Sequence, residues 1–192
     1  MSVLRDFIRS VMLESIEREV LIPPPPSQEQ RVKELSIVSN QYKNRKNPEE
    51  MQNDLDVNSA KLFVDLVTSA GNKIEKNFVS SLKDNIDPQV TFHKRHFNAL
   101  RPNELAKEKN IPFKSDKLTT INSPSYPSGH TAQAFYIAHI LSDMYPDLSD
   151  DLYQLAQMIA DSRIDRGVHF PSDNEAGKML ADILYRRHKD EE

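Results

Sequence analysis

Residues 125–141 read SYPSGHTAQAFYIAHIL. Pro127, Ser128 and Gly129 stand just ahead of a helical apolar pattern, so the spacing predicts a helix over 128–144 that starts at this tetrapeptide with His130. The first turn of a helix carries unpaired amides and the positive end of the macrodipole, and both attract an anion. Gly129 lets the backbone come close to such an anion, and Ser128 can add a hydroxyl. Taken alone, the same residues also spell an ordinary helix cap.

Two further helices are expected downstream, over about 148–166 and 173–188, the last with Ser172 and Glu175 as a capping box. Upstream, prolines at 88, 102, 112 and 124 weaken the periodicity, so 87–127 reads as an irregular segment carrying one short helix around 103–109. Ile74, Phe78, Leu82 and Ile86 form an apolar stripe that the reading stops at Pro88. Before it, Leu62, Phe63, Leu66 and Val67 mark a helix ending near Gly71, and Asn47 with Pro48 reads as a helix start. Ser27 opens a helix through about Tyr42, and residues 1–22 form an amphipathic helix stopped by the proline run at 23–26. No alternating run is long enough for a strand. The fold class expected is therefore all-α, a single-domain helical bundle over 1–192 whose last helices occupy 128–190.

Composition narrows the function. Charged residues make up 28% and apolar ones 38% of the 192 residues, as in a globular protein that stays in water. No apolar run approaches the roughly 20 residues that span a bilayer, and Asp6, Glu14 and Glu17 interrupt the first stretch, so neither membrane insertion nor an export leader is expected and the compartment expected is the cytoplasm. The absence of cysteine excludes disulfides, zinc–thiolate sites and thiol nucleophiles. A formal charge of −4 gives no support to bulk nucleic-acid binding. Any phosphate handled here needs a local cluster of cations.

Such a cluster can be drawn from three places. DSRIDRGVHFPSD, residues 161–173, offers Arg163 near a helix end, His169 in a short turn and Asp173 in the next helix's first turn. A carboxylate there can accept the imidazole N–H, fix the tautomer and stabilise an imidazolium. A surface His–Asp pair of no consequence would look the same. KRHFNALRP, residues 94–102, supplies Lys94 as a point charge and Arg101 as a bidentate fork.

Together these residues form an ordered pattern: Lys94 and Arg101–Pro102, then Pro127–Ser128–Gly129–His130, then Ser162–Arg163, His169 and Asp173. The pattern resembles the phosphatase motif shared by the type 2 phosphatidic acid phosphatase superfamily, bacterial class A non-specific acid phosphatases and vanadium-dependent haloperoxidases. Leu21–Ile22 with the proline run, and Ser125–Tyr126 before Pro127, are similar to the class A acid phosphatases in particular. No secretion signal is expected from the first stretch and there is no cysteine, two departures from the class A enzymes.

The resemblance implies a helical bundle of the acid phosphatase and vanadium haloperoxidase type and a metal-independent phosphomonoesterase without cofactor. Its substrates would be small soluble phosphate esters, nucleotides among them. It implies that His169 attacks phosphorus to form a phosphohistidine with Asp173 supporting its charge, while His130 protonates the leaving alcohol and later deprotonates water. Lys94, Arg101, Ser128, Gly129 and Arg163 would hold the phosphate, and the likeness favours a homo-oligomer. The residues add that His169 has a carboxylate four positions on and His130 has none nearby in sequence. His139, about half a turn out of phase with His130, should face away, and His188 lies in the charged tail. His93 and His96 are placed at the pocket mouth without a catalytic part, Tyr126 and Phe170 at the substrate's border, and Asp165 and Arg166 outside the contact layer. Two alternatives stay open: a vanadate-dependent haloperoxidase, and a phosphate- or nucleotide-binding module without chemistry.

Overall fold

The computed structural model describes residues 21–47 and 49–191, and these are helical with no strand among them. Of the expected N-terminal helix over 1–22, residues 1–20 lie outside the described residues, as does Pro48 at the expected helix start, while Leu21 and Ile22 are not helical. The helices are α1 (Gln28–Asn44), α2 (Glu49–Val57), α3 (Ser59–Ser69), α4 (Lys76–Phe97), α5 (Pro102–Glu108), α6 (Gly129–Met144), α7 (Ser149–Asp165) and α8 (Pro171–Glu191). α6 is the central element and packs on α7, α8 and α4. Its Ala132, Ala134, Ile137, Ala138 and Leu141 are buried, and their small or branched side chains let neighbouring helices close around it.

Caps explain several boundaries. Ser27 accepts from the Gln30 amide while the Gln30 side chain takes the Ser27 N–H, a reciprocal capping box that starts α1. Ser128 caps α6 through the Thr131 amide. Asn98 ends α4 in the left-handed region, φ 43°, and returns an N–H to the Lys94 carbonyl.

Two sequence expectations fail. α4 runs through Pro88 instead of stopping there, so Lys94 projects from a helix and not from a loop. An interior proline costs about 3 kcal/mol, yet Ile86 before it and Val90 after it are buried at about 1.5–3 kcal/mol each. Asp84, whose carbonyl loses its helical donor, is exposed, so water can satisfy it. The capping box at Ser172 and Glu175 does not form either. Pro171 already begins α8, Ser172 donates to Glu34 at 2.7 Å, and the Phe170 amide donates to Asp173 Oδ2 at 2.9 Å. The cap is real but lies two residues earlier, with a catalytic candidate as its acceptor.

α6 and α8 meet closely at their first turns. A Cβ on Gly177 would lie 2.7 Å from the Ser128 carbonyl oxygen, so only glycine fits there. The Ser128 amide donates to the Asp173 carbonyl at 2.9 Å, joining two of the three motif segments by a main-chain bond. Asn174 adds a third tie, accepting from Thr131 at 2.8 Å and donating to the Ala160 carbonyl of α7 at 2.7 Å.

Candidate active site

A cavity of about 580 Å³ opens between α2, α4, α6 and the connections before α5, α6 and α8. Lys94, Arg101, Gly129, His130 and His169 line it, joined by Asp56 and Thr120. Three segments that are distant in sequence therefore converge on one concavity.

His169 sits in the turn after α7 because the Arg163 carbonyl accepts from the amides of both Val168 and His169, at 3.1 and 3.3 Å. Its Nδ1 lies 3.1 Å from Asp173 Oδ2, and its Nε2 lies 3.4 Å from Arg101 Nη1. Asp173 accepts through Nδ1–H, so the Nε2 lone pair is turned to the cations. The ring is only 2% exposed. Burial first, then the charges of Arg101, Lys94 and Arg163, press His169 well below the usual histidine range and favour its neutral form.

The cations rest on main-chain carbonyls. Lys94 Nζ donates to Pro124 O at 2.5 Å, and Arg101 donates to Ser123 O at 2.9 Å and Val168 O at 2.8 Å. Burial and the neighbouring Arg101 lower Lys94 to about 7, and burial with Arg163 lowers Arg101 to about 10. Gly129 faces this pair: a Cβ there would stand 3.2 Å from Val90 Cγ1 and 3.6 Å from Lys94 Cε. Two of the phosphate-binding candidates stand back from the cavity wall. Ser128 is fully buried with its hydroxyl 2.8 Å from Thr131 Oγ1, and Arg163 is fully buried in an ion pair with Asp56.

Asp56 is a residue the sequence reading missed. It reaches the site from the end of α2 and is 6% exposed. His130 Nε2 lies 3.1 Å from its Oδ1 and 2.9 Å from its carbonyl oxygen, Thr120 donates to Oδ1 at 2.9 Å, and Arg163 Nη1 pairs with the same oxygen. The expectation that His130 lacks a carboxylate is thus corrected, because its partner comes from 74 positions upstream. Burial opposes ionisation of Asp56, but hydrogen bonding to His130 and the Arg163 charge outweigh it and hold the carboxyl well below its usual range. Burial and Arg163 lower His130, with Asp56 pulling the other way. The site therefore holds two histidine–carboxylate pairs in different charge environments.

Other expectations sort by burial. His139 faces away, between Tyr153 and Asp182 at 2.7 Å each. His93 does not reach the pocket mouth: it is fully buried and accepts the Leu21 amide at 2.9 Å. His96 is exposed but lines a neighbouring groove instead. Tyr126 and Phe170 do not border the cavity; Tyr126 donates to Pro23 O at 2.8 Å, and Phe170 is packed beneath Arg31. Arg166 is buried against Asp116 and Asn53, away from the cavity.

A family model described as the PAP2 superfamily matches residues 79–184, which carry all the motif segments. The chain belongs to the PAP2 superfamily. Among curated proteins, this PAP2 chain is similar to the non-specific acid phosphatase of Salmonella typhimurium, 25% identical over 186 residues that cover 91% of this chain and 74% of that one. It is also similar to an acid phosphatase of Zymomonas mobilis, 42% identical over 57 residues that cover 30% of this chain and 22% of that one. A solved transmembrane PAP2-type phosphatidylglycerolphosphate phosphatase of Bacillus subtilis shares the fold, with a TM-score of 0.52 at 18% identity, over 96% of this chain and 94% of that one. The family and these relatives support a phosphatase. Among the described residues, no helix of this PAP2 protein is long and apolar enough to cross a membrane.

Proposed function

We propose that the protein hydrolyses small phosphate monoesters, nucleotides among them, through a phosphohistidine at His169. One observation carries the reading: a buried imidazole with Nδ1 3.1 Å from Asp173 and Nε2 turned to a guanidinium at 3.4 Å. The Nε2 lone pair attacks phosphorus, the ester P–O bond breaks, and the departing alkoxide takes a proton from His130. Water then attacks the phosphohistidine, His130 accepts its proton, the P–N bond breaks and orthophosphate leaves. Because Asp56 engages Nε2 of His130, Nδ1 is the atom that serves the substrate in this scheme.

Lys94, Arg101 and the Gly129 amide face the cavity and suit the non-bridging oxygens, with Arg163 and Ser128 behind them. Lys94 and Arg101, with Arg163 paired to Asp56 behind them, set positive charge against the dianion where a metal would otherwise stand, so the reaction is expected to persist in EDTA and to be blocked by vanadate. If His130 supplies the usual 10²–10⁴ of acid catalysis, its loss costs roughly 3–5 kcal/mol for alkyl leaving groups and less for nitrophenolate.

The test is phosphate release from p-nitrophenyl phosphate in EDTA, with trapping of an acid-labile, base-stable phosphoenzyme. His169→Ala should lose both. Full activity in that variant, or dependence on an added divalent ion, defeats the reading, and halide oxidation with vanadate and peroxide would replace it by the haloperoxidase. We also carry forward a cytoplasmic location and assembly as a homo-oligomer, which cell fractionation and light scattering check.

A further inference from the structure

Arg31 belongs to α1, outside the segment that the PAP2 model matches, yet its side chain ends in the heart of the molecule. Nη2 donates to Asp173 Oδ1 at 3.1 Å, with side-chain exposures of 5% and 0%. The other carboxylate oxygen, Oδ2, accepts from Ser125 Oγ at 2.5 Å, from the Phe170 amide at 2.9 Å and from His169 Nδ1 at 3.1 Å. The guanidinium lies 4.3 Å from the centre of the Phe170 ring, which fixes its plane. We propose that Arg31 is a positioning residue of the hydrolytic site, keeping Asp173 ionised and turned toward His169 while phosphate is bound.

Packing alone does not account for this arginine. Its Nε is buried without a hydrogen-bond partner, and a buried ion pair is seldom more stable than a well-packed apolar substitute. The position of the charge does account for it. Groups facing Asp173 are Glu34 on α1, Lys94 on α4, Arg101 before α5, Tyr126 in the connection before α6, and His169. Lys94 and Arg101 also line the cavity, so an arriving phosphate dianion claims their charge. Arg31 lies on the far side of Asp173 and does not line the cavity, so its charge remains on the carboxylate throughout. Burial works in the opposite direction, favouring a protonated Asp173 that could not support the imidazolium. The inference sets the acid limit of the reaction and rests on the proposed role of His169.

Removing the Arg31 charge must raise the proton affinity of the His169–Asp173 pair, whichever member takes the proton. The acid limb of kcat/KM should therefore move to higher pH. The experiment compares the full-length wild type with Arg31→Met and Arg31→Lys. It measures kcat/KM for p-nitrophenyl phosphate across the acid range and, without substrate, the titration of His169 by NMR in imidazole-labelled protein. In Arg31→Met both should move upward by about one pH unit or more, with Arg31→Lys between it and wild type. Shifts under about half a unit in both variants overturn the proposal, even with a lowered Tm, since a mere clamp would lose stability and keep its pH profile. Should Arg31→Met fail to fold, Arg31→Gln, which also removes the charge, decides by the same two readouts. A wild type that releases no phosphate sinks the hydrolytic reading, while the NMR titration still judges Arg31.

Discussion

Replacing Lys94 by methionine should make the empty protein more stable while crippling it. Burial beside Arg101 lowers Lys94 from 10.5 to about 7, which corresponds to about 5 kcal/mol spent in keeping the ammonium charged without a ligand. Methionine has similar length, no charge, and can lie against Val90 and Gly129. The bond to Pro124 O is lost at about 1 kcal/mol, and water in the cavity already relaxes part of the penalty, so a net gain of about 2 kcal/mol is expected. For a chain of this size that is a rise in Tm of about 4–8 °C.

The pH dependence identifies the cause. Below about pH 7 the lysine is charged whether folded or unfolded, so the wild type carries the full penalty there. Between about 7 and 10.5 the folded state sheds its proton while the unfolded state keeps it, and wild type gains stability with rising pH. The advantage of Lys94→Met should thus be largest near about pH 5.5 and nearly gone by about pH 10. Melting curves of both proteins at several pH values measure it, with and without orthophosphate. Orthophosphate should raise the wild-type Tm more than the variant's. A variant that melts at or below wild type at about pH 5.5, or a difference that ignores pH, would refute the reasoning.

Two further changes probe the frame and the second carboxylate. Asp56→Asn removes the anion that favours protonated His130, so the alkaline limb of kcat/KM should move to lower pH; leaving Arg163 buried without its counter-charge should also cost about 3–5 kcal/mol in denaturant melts. Gly177→Ala forces a methyl against the Ser128 carbonyl at 2.7 Å, which predicts a loss of about 1–3 kcal/mol and a fall in kcat; Gly71→Ala, strained by its own φ of 84° although nothing lies near it, should share the loss of stability and not the fall in kcat.

The sequence exposed α6, α7 and α8 because their apolar periodicity is uninterrupted, and it exposed the motif because its residues are fixed by local spacing. α4 was misjudged at Pro88 because the burial that carries the helix through belongs to tertiary packing, which a one-dimensional pattern does not contain. Asp56 and Arg31 escaped for a related reason: their partners Arg163 and Asp173 lie 107 and 142 positions away. A signal was nonetheless present. Arg31 shares one helical face with the buried Leu35 and Val38, and a charge in phase with an apolar stripe must find a buried partner. Asp56, buried beside Leu55 on α2, falls under the same rule.

Lys94 and Arg101 are moored to the carbonyls of Ser123, Pro124 and Val168, atoms that every amino acid possesses. Apart from Asp116 and Thr120, whose side chains hold Arg166 and Asp56, the stretch from about 109 to 124 can accordingly be rewritten residue by residue without cutting those moorings as long as its path is kept. Leaving-group preference and phosphoryl chemistry become separately adjustable, which makes this rim the natural place to retarget the catalyst.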